Sequence, residues 1–281
     1  MKFNIDPTLE ARLMEEFQSL TISNDFIFGA TMESRPDLCK RLIEIILGIK
    51  VKEIKYVERE KSIEERTDAK GIRLDVYVEE AGTDRSFDLE MQVANKHDLE
   101  KRLRYYQGLL DMDKLKTGEN YRQLGESYII FICTFDYFKR GLRTYTFREK
   151  CIEDAALELG DGSTKVVLNA TGERGARDEA LNNFLDYVMR REAKGDEFVK
   201  ELDTAVEEVI TAKKWRLSYV KLSILRQEWQ EEAREAGRAE GEGKLIALVK
   251  RLISEGKSDA IEKVTDDENY RRELYNLYGI R

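Results

Sequence analysis

Residues 72–93 of the chain read IRLDVYVEEAGTDRSFDLEMQV, and this stretch decides the fold. Apolar and polar residues alternate in IRLDVYVEE and again in FDLEMQV, with the two-residue period of a β-strand. The polar segment AGTDRS between them contains glycine and aspartate, which are typical of tight turns. The stretch therefore predicts a β-hairpin.

The segments around the hairpin predict a mixed α/β domain. VKEIKYVERE (51–60) reads as a strand before the hairpin, and residues 99–115 read as a helix after it. The continuous apolar run YIIFICTF (128–135) predicts a buried strand, and RTYTF and KVVLN predict shorter ones. Because the helix offers a crossover connection, we expect a mixed central sheet flanked by helices.

The C-terminal third of the sequence is helical in pattern. Gly237, Gly241 and Gly243 interrupt a very polar stretch, and each glycine costs about 1 kcal/mol relative to alanine in a helix. We therefore expect a hinge or a frayed segment there. The sequence predicts three parts: an α/β domain at 1–176, a helical extension at 177–236, and a flexible glycine-containing segment with C-terminal helices at 237–281.

Composition restricts the partners and the compartment. The 281 residues carry a net charge of −8, so contact with nucleic acid requires a local basic surface. Three widely spaced cysteines form no C-x-x-C pair, which favours a reducing cytoplasm. The N-terminus lacks signal-peptide features, and no apolar run approaches the about 20 residues that span a bilayer. The sequence predicts a cytoplasmic protein with no membrane association.

Three polar residues of the hairpin are candidates for a metal site. Glu90 and Gln92 lie two apart, so both project from one face of their strand, and Asp75 alternates in the same way on the other strand. Two carboxylates and an amide are hard oxygen ligands of the kind that Mg²⁺ prefers. Ordinary half-exposed strands also alternate, so spacing alone leaves a structural role open. The intervening apolar residues are expected to face the core: Leu89, Met91 and Val93.

Other chemistries lack their motifs. There is no G-x-x-x-x-G-K-[ST] phosphate loop and no H-E-x-x-H zinc helix, and His97 is the single histidine. The cysteines have no zinc-binding spacing. The sequence therefore disfavours ATP-driven and zinc chemistry.

LDVYV followed by DLEMQ resembles the Asp…Glu-x-Gln form of the PD-(D/E)XK signature, as found in the Rpn family of recombination-promoting nucleases, also described as putative transposases. The similarity continues in order from Ser23 to Val188. It is carried by NDFIFGATM, EKSI, AKGIRLDV, KRLRYYQGLLDMDKLKTGENYRQL, SYIIFICTFDYF, YTFREKCIEDAALELGDGSTKVVLNATG and NNFLDYV. The resemblance implies a restriction-endonuclease-like α/β core.

The resemblance also implies roles for the hairpin residues. Asp75 and Glu90 take the metal-binding positions, with the backbone carbonyl of Met91 as a further ligand of Mg²⁺, for which Mn²⁺ can substitute. Gln92 stands where many PD-(D/E)XK enzymes have lysine. A glutamine can orient a water or a phosphate, but it brings no charge. Lys70 and Lys96, which flank the hairpin strands, are candidates for the missing cation.

Two further elements are implicated by the resemblance. Asp25 matches the N-terminal acidic position and is expected to reach the metal through water, although a helix N-cap or turn role is an equal alternative. In the helix after the metal strand, the basic edge is expected to bind DNA phosphates, while solvated helix charges are the commoner explanation of such residues. The basic edge consists of Lys101, Arg102, Arg104 and Tyr105.

Two functions follow. The first is a Mg²⁺-dependent DNA endonuclease that promotes recombination or mobile-element activity. The alternative is a catalytically weak or inactive nuclease-fold module that acts as a nucleic-acid-binding or assembly protein. In the helical C-terminal region, WRLSYVKLSILRQEWQ (215–230) either packs on the domain or forms a homodimer, and the sequence leaves both open.

Overall fold

The structure is a computed structural model that describes residues 7–63, 72–190, 195–255 and 257–280. In chain order its N-terminal elements are α1 (Pro7–Gln18), α2 (Asp25–Ser34), α3 (Pro36–Leu47), β1 (Ile54–Ile63), β2 (Ile72–Glu80), β3 (Ser86–Gln92) and α4 (Leu99–Lys114). After a 3₁₀ turn at Tyr121–Gln123 follow β4 (Ser127–Cys133), β5 (Thr144–Phe147), β6 (Ser163–Asn169), α5 (Glu179–Val188), α6 (Glu197–Thr211), α7 (Lys213–Ser254), α8 (Ser258–Asp266) and α9 (Glu268–Tyr278).

The strands form one mixed sheet in the order β1-β2-β3-β4-β6-β5. β1, β2 and β3 are successively antiparallel, β3, β4 and β6 are parallel, and β5 runs antiparallel to β6 at the edge. Because β3 and β4 are parallel neighbours, α4 is the crossover between them. The α/β class with a mixed central sheet flanked by helices is confirmed, and the predicted hairpin is β2 and β3.

Helix α4 covers one face of the sheet. Its side chains at three-to-four spacing pack against β2 and β4, as the apolar pattern predicts. This cluster includes Tyr77, Leu103, Tyr106, Leu110, Ile129 and Phe131. Helix α2 packs on β1, β2 and β3, and the side chain of Asn24 caps it by accepting from the backbone N–H groups of Phe26 and Ile27.

Strand β3 is central in the sheet and is buried on both faces from Ser86 to Met91. The polar face of the hairpin is therefore not the half-exposed face of an ordinary amphipathic strand, because α4 lies over it. The prediction that Val93 faces the core is wrong. Val93 is 61% exposed, since β3 ends at Gln92 and the chain turns away before α4.

The chain divides into two compact units, Met1–Tyr219 and Val220–Arg281. The predicted domain boundaries at 176 and 236 stay a prediction. Helix α6 packs on α2, and the rings of Trp215 and Tyr219 in the first turns of α7 meet the Phe26 ring edge to face. These contacts bring α5, α6 and the start of α7 into the first unit.

In the second unit, α7 continues as one helix through Gly237, Gly241 and Gly243, where the sequence predicted a hinge or a frayed segment. Good helix formers surround these glycines, and they offset the glycine cost. Leu248 and Leu252 then pack with Val264 of α8. None of the described helices has the length and apolar character of a membrane span.

Candidate active site

The backbone pairing of β2 and β3 gives way to a pair of carboxylates at one end of the hairpin. The ladder's last pair at that end joins Val76 to Leu89. Beyond it, the Asp75 N–H donates to Glu90 Oε1 at 2.8 Å, and the Met91 N–H donates to Asp75 Oδ2 at 3.0 Å. Each carboxylate therefore accepts from the backbone of the opposite strand, and these bonds fix the two carboxylates side by side.

Burial makes it costly to ionise the carboxyl groups at this end of the hairpin. Glu90 is 2% exposed and Asp88, two residues earlier on the same face, is fully buried. Burial, and then the charges of Asp75 and Asp88, raise the pKa of Glu90 well above its usual value. Burial and the charge of Asp75 raise the pKa of Asp88 in the same way. Clustered carboxylates of this kind gain most from a nearby cation.

Gln92 and Arg102 complete the polar face. Gln92 Oε1 accepts from Arg102 Nη1 at 2.6 Å, while Gln92 Nε2 lies 3.4 Å from Glu90 Oε2. A second nitrogen of Arg102, Nη2, lies 3.5 Å from Glu90 Oε2 and donates to Tyr106 Oη at 3.0 Å. The first turn of α4 thus places a guanidinium beside the end of β3.

A cavity of about 580 Å³ opens over the carboxylate pair. Asp75 and Glu90 lie in its wall, together with Asp25 at the start of α2. Cationic side chains from four parts of the chain line it: Arg73, Lys96, Arg102 and Arg190. The local positive surface that the net charge of −8 requires is therefore present around the carboxylates.

The donor set fits Mg²⁺. Within the described ranges, no cluster of three or more His, Cys, Asp or Glu side chains could hold a metal ion. Mg²⁺ does not need such a cluster, because it usually binds through one or two carboxylates and keeps its other positions for waters and substrate phosphates. Asp75 and Glu90 supply that pair at a cavity wall. Met91 also lines the cavity, and its carbonyl as a ligand stays a prediction.

The structure distributes the auxiliary candidates differently. Lys96 is exposed and lines the cavity. Asp25 also lines the cavity. Asn24, and not Asp25, is the N-cap residue of α2, but Asp25 Oδ1 accepts from the Phe26 N–H at 2.8 Å, so both a turn role and a role at the metal stay predictions for it. Lys70 lies outside the described residues.

The predicted basic edge of α4 separates into two groups. Lys101 and Arg104 are exposed, and Tyr105 is 40% exposed, so all three face outward. The Arg102 side chain is 22% exposed and turns toward Gln92 and Glu90. This segment therefore contributes Arg102 to the site, while Lys101, Arg104 and Tyr105 belong to the outer surface of α4.

Sequence reasoning missed Arg73 and Arg190. Arg73 lies two residues before Asp75 on β2, so strand alternation already placed both on one face. Arg190 follows α5 and donates to the Ser19 carbonyl at 3.2 Å, with a backbone φ of 56°. No local pattern indicated Arg190, because it lies 98 positions after Gln92, the last residue of the hairpin.

Comparison with known proteins agrees with this geometry. Residues 23–156, just under half of the chain, match the family described as PD-(D/E)XK nuclease family transposase. No curated protein and no solved structure matched the chain. The matched residues contain the hairpin, α4 and β4. Over residues 23–156 the chain is thus similar to the PD-(D/E)XK nuclease family transposases.

Proposed function

We propose that this protein is a metal-dependent DNA endonuclease that hydrolyses phosphodiester bonds. The observation that carries the proposal is the pair formed by Asp75 and Glu90, each held by a backbone N–H of the opposite strand and both lining one cationic cavity. The family match over residues 23–156 supports nuclease chemistry. As with the Rpn nucleases that the sequence resembles, we propose that cleavage promotes recombination or mobile-element activity.

In this proposal Asp75 and Glu90 hold Mg²⁺, with Mn²⁺ able to substitute, and the Met91 carbonyl is a further ligand. When bound, the ion polarises the scissile phosphate, lowers the pKa of water and stabilises charge on the leaving oxygen. Gln92 offers its amide N–H to the attacking water or a phosphate oxygen. Asp25, at the cavity wall, acts through a water molecule.

The cations of the cavity bind the DNA backbone. Arg73, Lys96 and Arg190 lie where phosphates on either side of the scissile bond can reach them. Lys101, Arg104 and Tyr105 extend this surface along the outer side of α4. These contacts are to phosphates, so they position the duplex and carry no sequence information. We place this activity in the cytoplasm, where the protein's cysteines stay reduced.

The test is cleavage of supercoiled plasmid with Mg²⁺, with EDTA, and with the Asp75→Ala and Glu90→Ala variants. We expect nicked or linear DNA only from the wild type with metal. Cleavage that persists in both variants contradicts the proposed site.

A second function has one observation in its favour. Gln92 replaces the lysine of many PD-(D/E)XK enzymes, as expected of a module that binds nucleic acid or assembles with a partner without cutting. Wild-type protein that shifts DNA in a gel but never cleaves DNA in Mg²⁺ or Mn²⁺ supports this alternative.

We also propose that the helical C-terminal region forms a homodimer, because two-fold symmetry suits a cut in both strands. Light scattering on the full chain and on a chain ending at Gln230 tests this. A full chain that is monomeric contradicts it.

A further inference from the structure

The amide of Gln92 has a defined orientation. An amide offers an acceptor at Oε1 and two donors at Nε2, so a neighbouring cation selects the oxygen end. Arg102 Nη1 donates to Gln92 Oε1 at 2.6 Å, and Nε2 is thereby turned toward Glu90 Oε2, 3.4 Å away. The donor end of Gln92 thus lies beside the carboxylate pair.

Arg102 is itself held from several sides. Its Nη2 donates to Tyr106 Oη at 3.0 Å, and its guanidinium lies 5.1 Å from the centre of the Phe131 ring. Burial raises the pKa of Tyr106, so the phenol stays neutral beside the guanidinium. The aromatic ring and the two polar partners leave the guanidinium few alternative positions. Only a guanidinium, with several N–H donors in one plane, can bind both polar partners while lying against the ring.

Arg102 also brings charge to the site. Its Nη2 lies 3.5 Å from Glu90 Oε2, and its positive charge lowers the pKa of Glu90 against the larger effect of burial. A lysine at position 92 would bring a charge of its own, but it would then face the guanidinium at hydrogen-bonding distance. Glutamine at 92 and arginine at 102 are therefore chemically matched.

Resting on the proposed nuclease function, we propose that Arg102 is a positioning residue that supplies the charge Gln92 lacks. It fixes the amide so that Nε2 presents its N–H groups to the attacking water or phosphate, and its guanidinium offsets negative charge beside Glu90. Gln92 and Arg102 together thus do what lysine does alone in many relatives.

The test moves the positive charge from position 102 to position 92. We expect Arg102→Gln to lower kcat about 10²-fold, since loss of positioning near the reacting atoms has effects of that size. Gln92→Lys alone should also lose activity, because two cations then face each other. The double variant Gln92→Lys/Arg102→Gln retains one cation, and we expect its kcat to exceed that of Arg102→Gln about tenfold. Arg104→Gln on the outer side of α4 is the comparison, and it should raise KM only.

A readout independent of cleavage is urea unfolding in EDTA of the wild type, Gln92→Lys, Arg102→Gln and the double variant. We expect Gln92→Lys to be more destabilising with Arg102 present than in the Arg102→Gln background. If this coupling appears while the wild type never cuts DNA, the pairing holds and the nuclease function fails. Additive effects on stability overturn the pairing. An Arg102→Gln variant that raises KM as Arg104→Gln does, with kcat unchanged, shows a DNA contact only and overturns the positioning role.

Discussion

The two ends of the β2–β3 hairpin bury glutamates to the same extent and treat them differently. Glu80, at the turn, and Glu90, at the open end, are each 2% exposed. Glu80 accepts from the Lys52 N–H at 2.5 Å and from the Thr83 hydroxyl at 2.7 Å, and Arg85 Nη1 lies 3.7 Å away. Although burial alone raises the pKa of Glu80, these partners hold it below its usual value.

At the open end the balance is reversed. Glu90 shares its surroundings with Asp75 and Asp88, and one backbone N–H and the charge of Arg102 do not compensate for burial, so its pKa is raised. Equal burial thus leads to opposite shifts, because the donors and charges around each carboxylate differ. Each carboxylate oxygen of Glu80 accepts a hydrogen bond. The carboxylates at the open end have an excess of negative charge, which a bound cation would offset.

The sharpest way to break this comparison is to neutralise each glutamate in turn. Glu90→Gln should lower kcat for DNA cleavage about 10³-fold, because a bound ion contributes several kcal/mol and each tenfold corresponds to about 1.4 kcal/mol. Plasmid nicking rates in Mg²⁺ measure this loss.

Glu80→Gln is the matched control for Glu90→Gln. It is the same substitution on the same hairpin, and we expect cleavage close to wild type at a temperature where the variant is folded. Equal losses of activity in the two variants would show that the hairpin needs both glutamates for its structure, and the distinction between its ends would fail.

Stability should separate the same two substitutions. Glu80→Gln places an amide nitrogen against the Lys52 N–H or the Thr83 hydroxyl, and an unsatisfied buried donor costs about 1–3 kcal/mol. The pKa of Glu80 is lowered in the folded state, so its contribution is present above the ordinary glutamate pKa and is lost as pH falls through the folded value.

Urea unfolding at pH 7 and at acid pH in EDTA measures this contribution. The gap between wild type and Glu80→Gln should narrow as the solution is acidified below the ordinary glutamate pKa. A gap that widens on acidification would mean that the folded-state pKa of Glu80 is raised.

Mg²⁺ should stabilise the folded protein through the carboxylates at the open end of the hairpin and not through Glu80. With Mg²⁺ at tenfold its Kd, the free energy of unfolding should rise by about 1.4 kcal/mol relative to EDTA, because the ion binds the folded state. Thermal unfolding of wild type, Glu80→Gln and Glu90→Gln measures the rise. The first two should respond and the third should not. A response of Glu90→Gln equal to that of wild type would place the ion elsewhere.

Strand alternation was sufficient to predict the hairpin and the proximity of its carboxylates. The bounds of β2 agree with the predicted IRLDVYVEE, and Asp75 does meet Glu90 across the strands. Alternation reports which residues share a face, and it does not report what covers that face. The burial of Glu90 depends on α4, which packs on β2 and β4, the two neighbours of β3 in the sheet. Burial on both faces could therefore not be predicted.

The cations of the site were harder to predict. Arg102 was assigned to an outer basic edge because a helical pattern does not show which residues flank the end of a neighbouring strand. Its position depends on the path of residues 93–98 between β3 and α4. Arg190 enters the cavity from the end of α5, through a contact with Ser19 that no motif records. Long-range placement, and not residue chemistry, limited the prediction.

The smallest expected effect concerns Asp88, which has no role in the proposed chemistry. It is fully buried between Tyr77 of β2 and Ile129 of β4, and neither carboxylate oxygen accepts a hydrogen bond within the described part of the chain. A buried carboxylate without donors destabilises the folded state. Asp88→Asn keeps the shape and replaces a carboxyl whose pKa is raised by burial with an amide that does not ionise, so we expect the metal-free protein to gain about 1 kcal/mol.

Urea unfolding at pH 7.5 in EDTA measures the gain for Asp88→Asn, with Asp84→Asn on the exposed turn as the control that should change stability by less than about 0.5 kcal/mol. A loss of stability in Asp88→Asn would mean that this carboxyl makes a favourable bond that the amide cannot make. In that case the carboxylates at the open end would be hydrogen-bonded as fully as Glu80 at the turn. An excess of negative charge would then no longer distinguish the two ends of the hairpin.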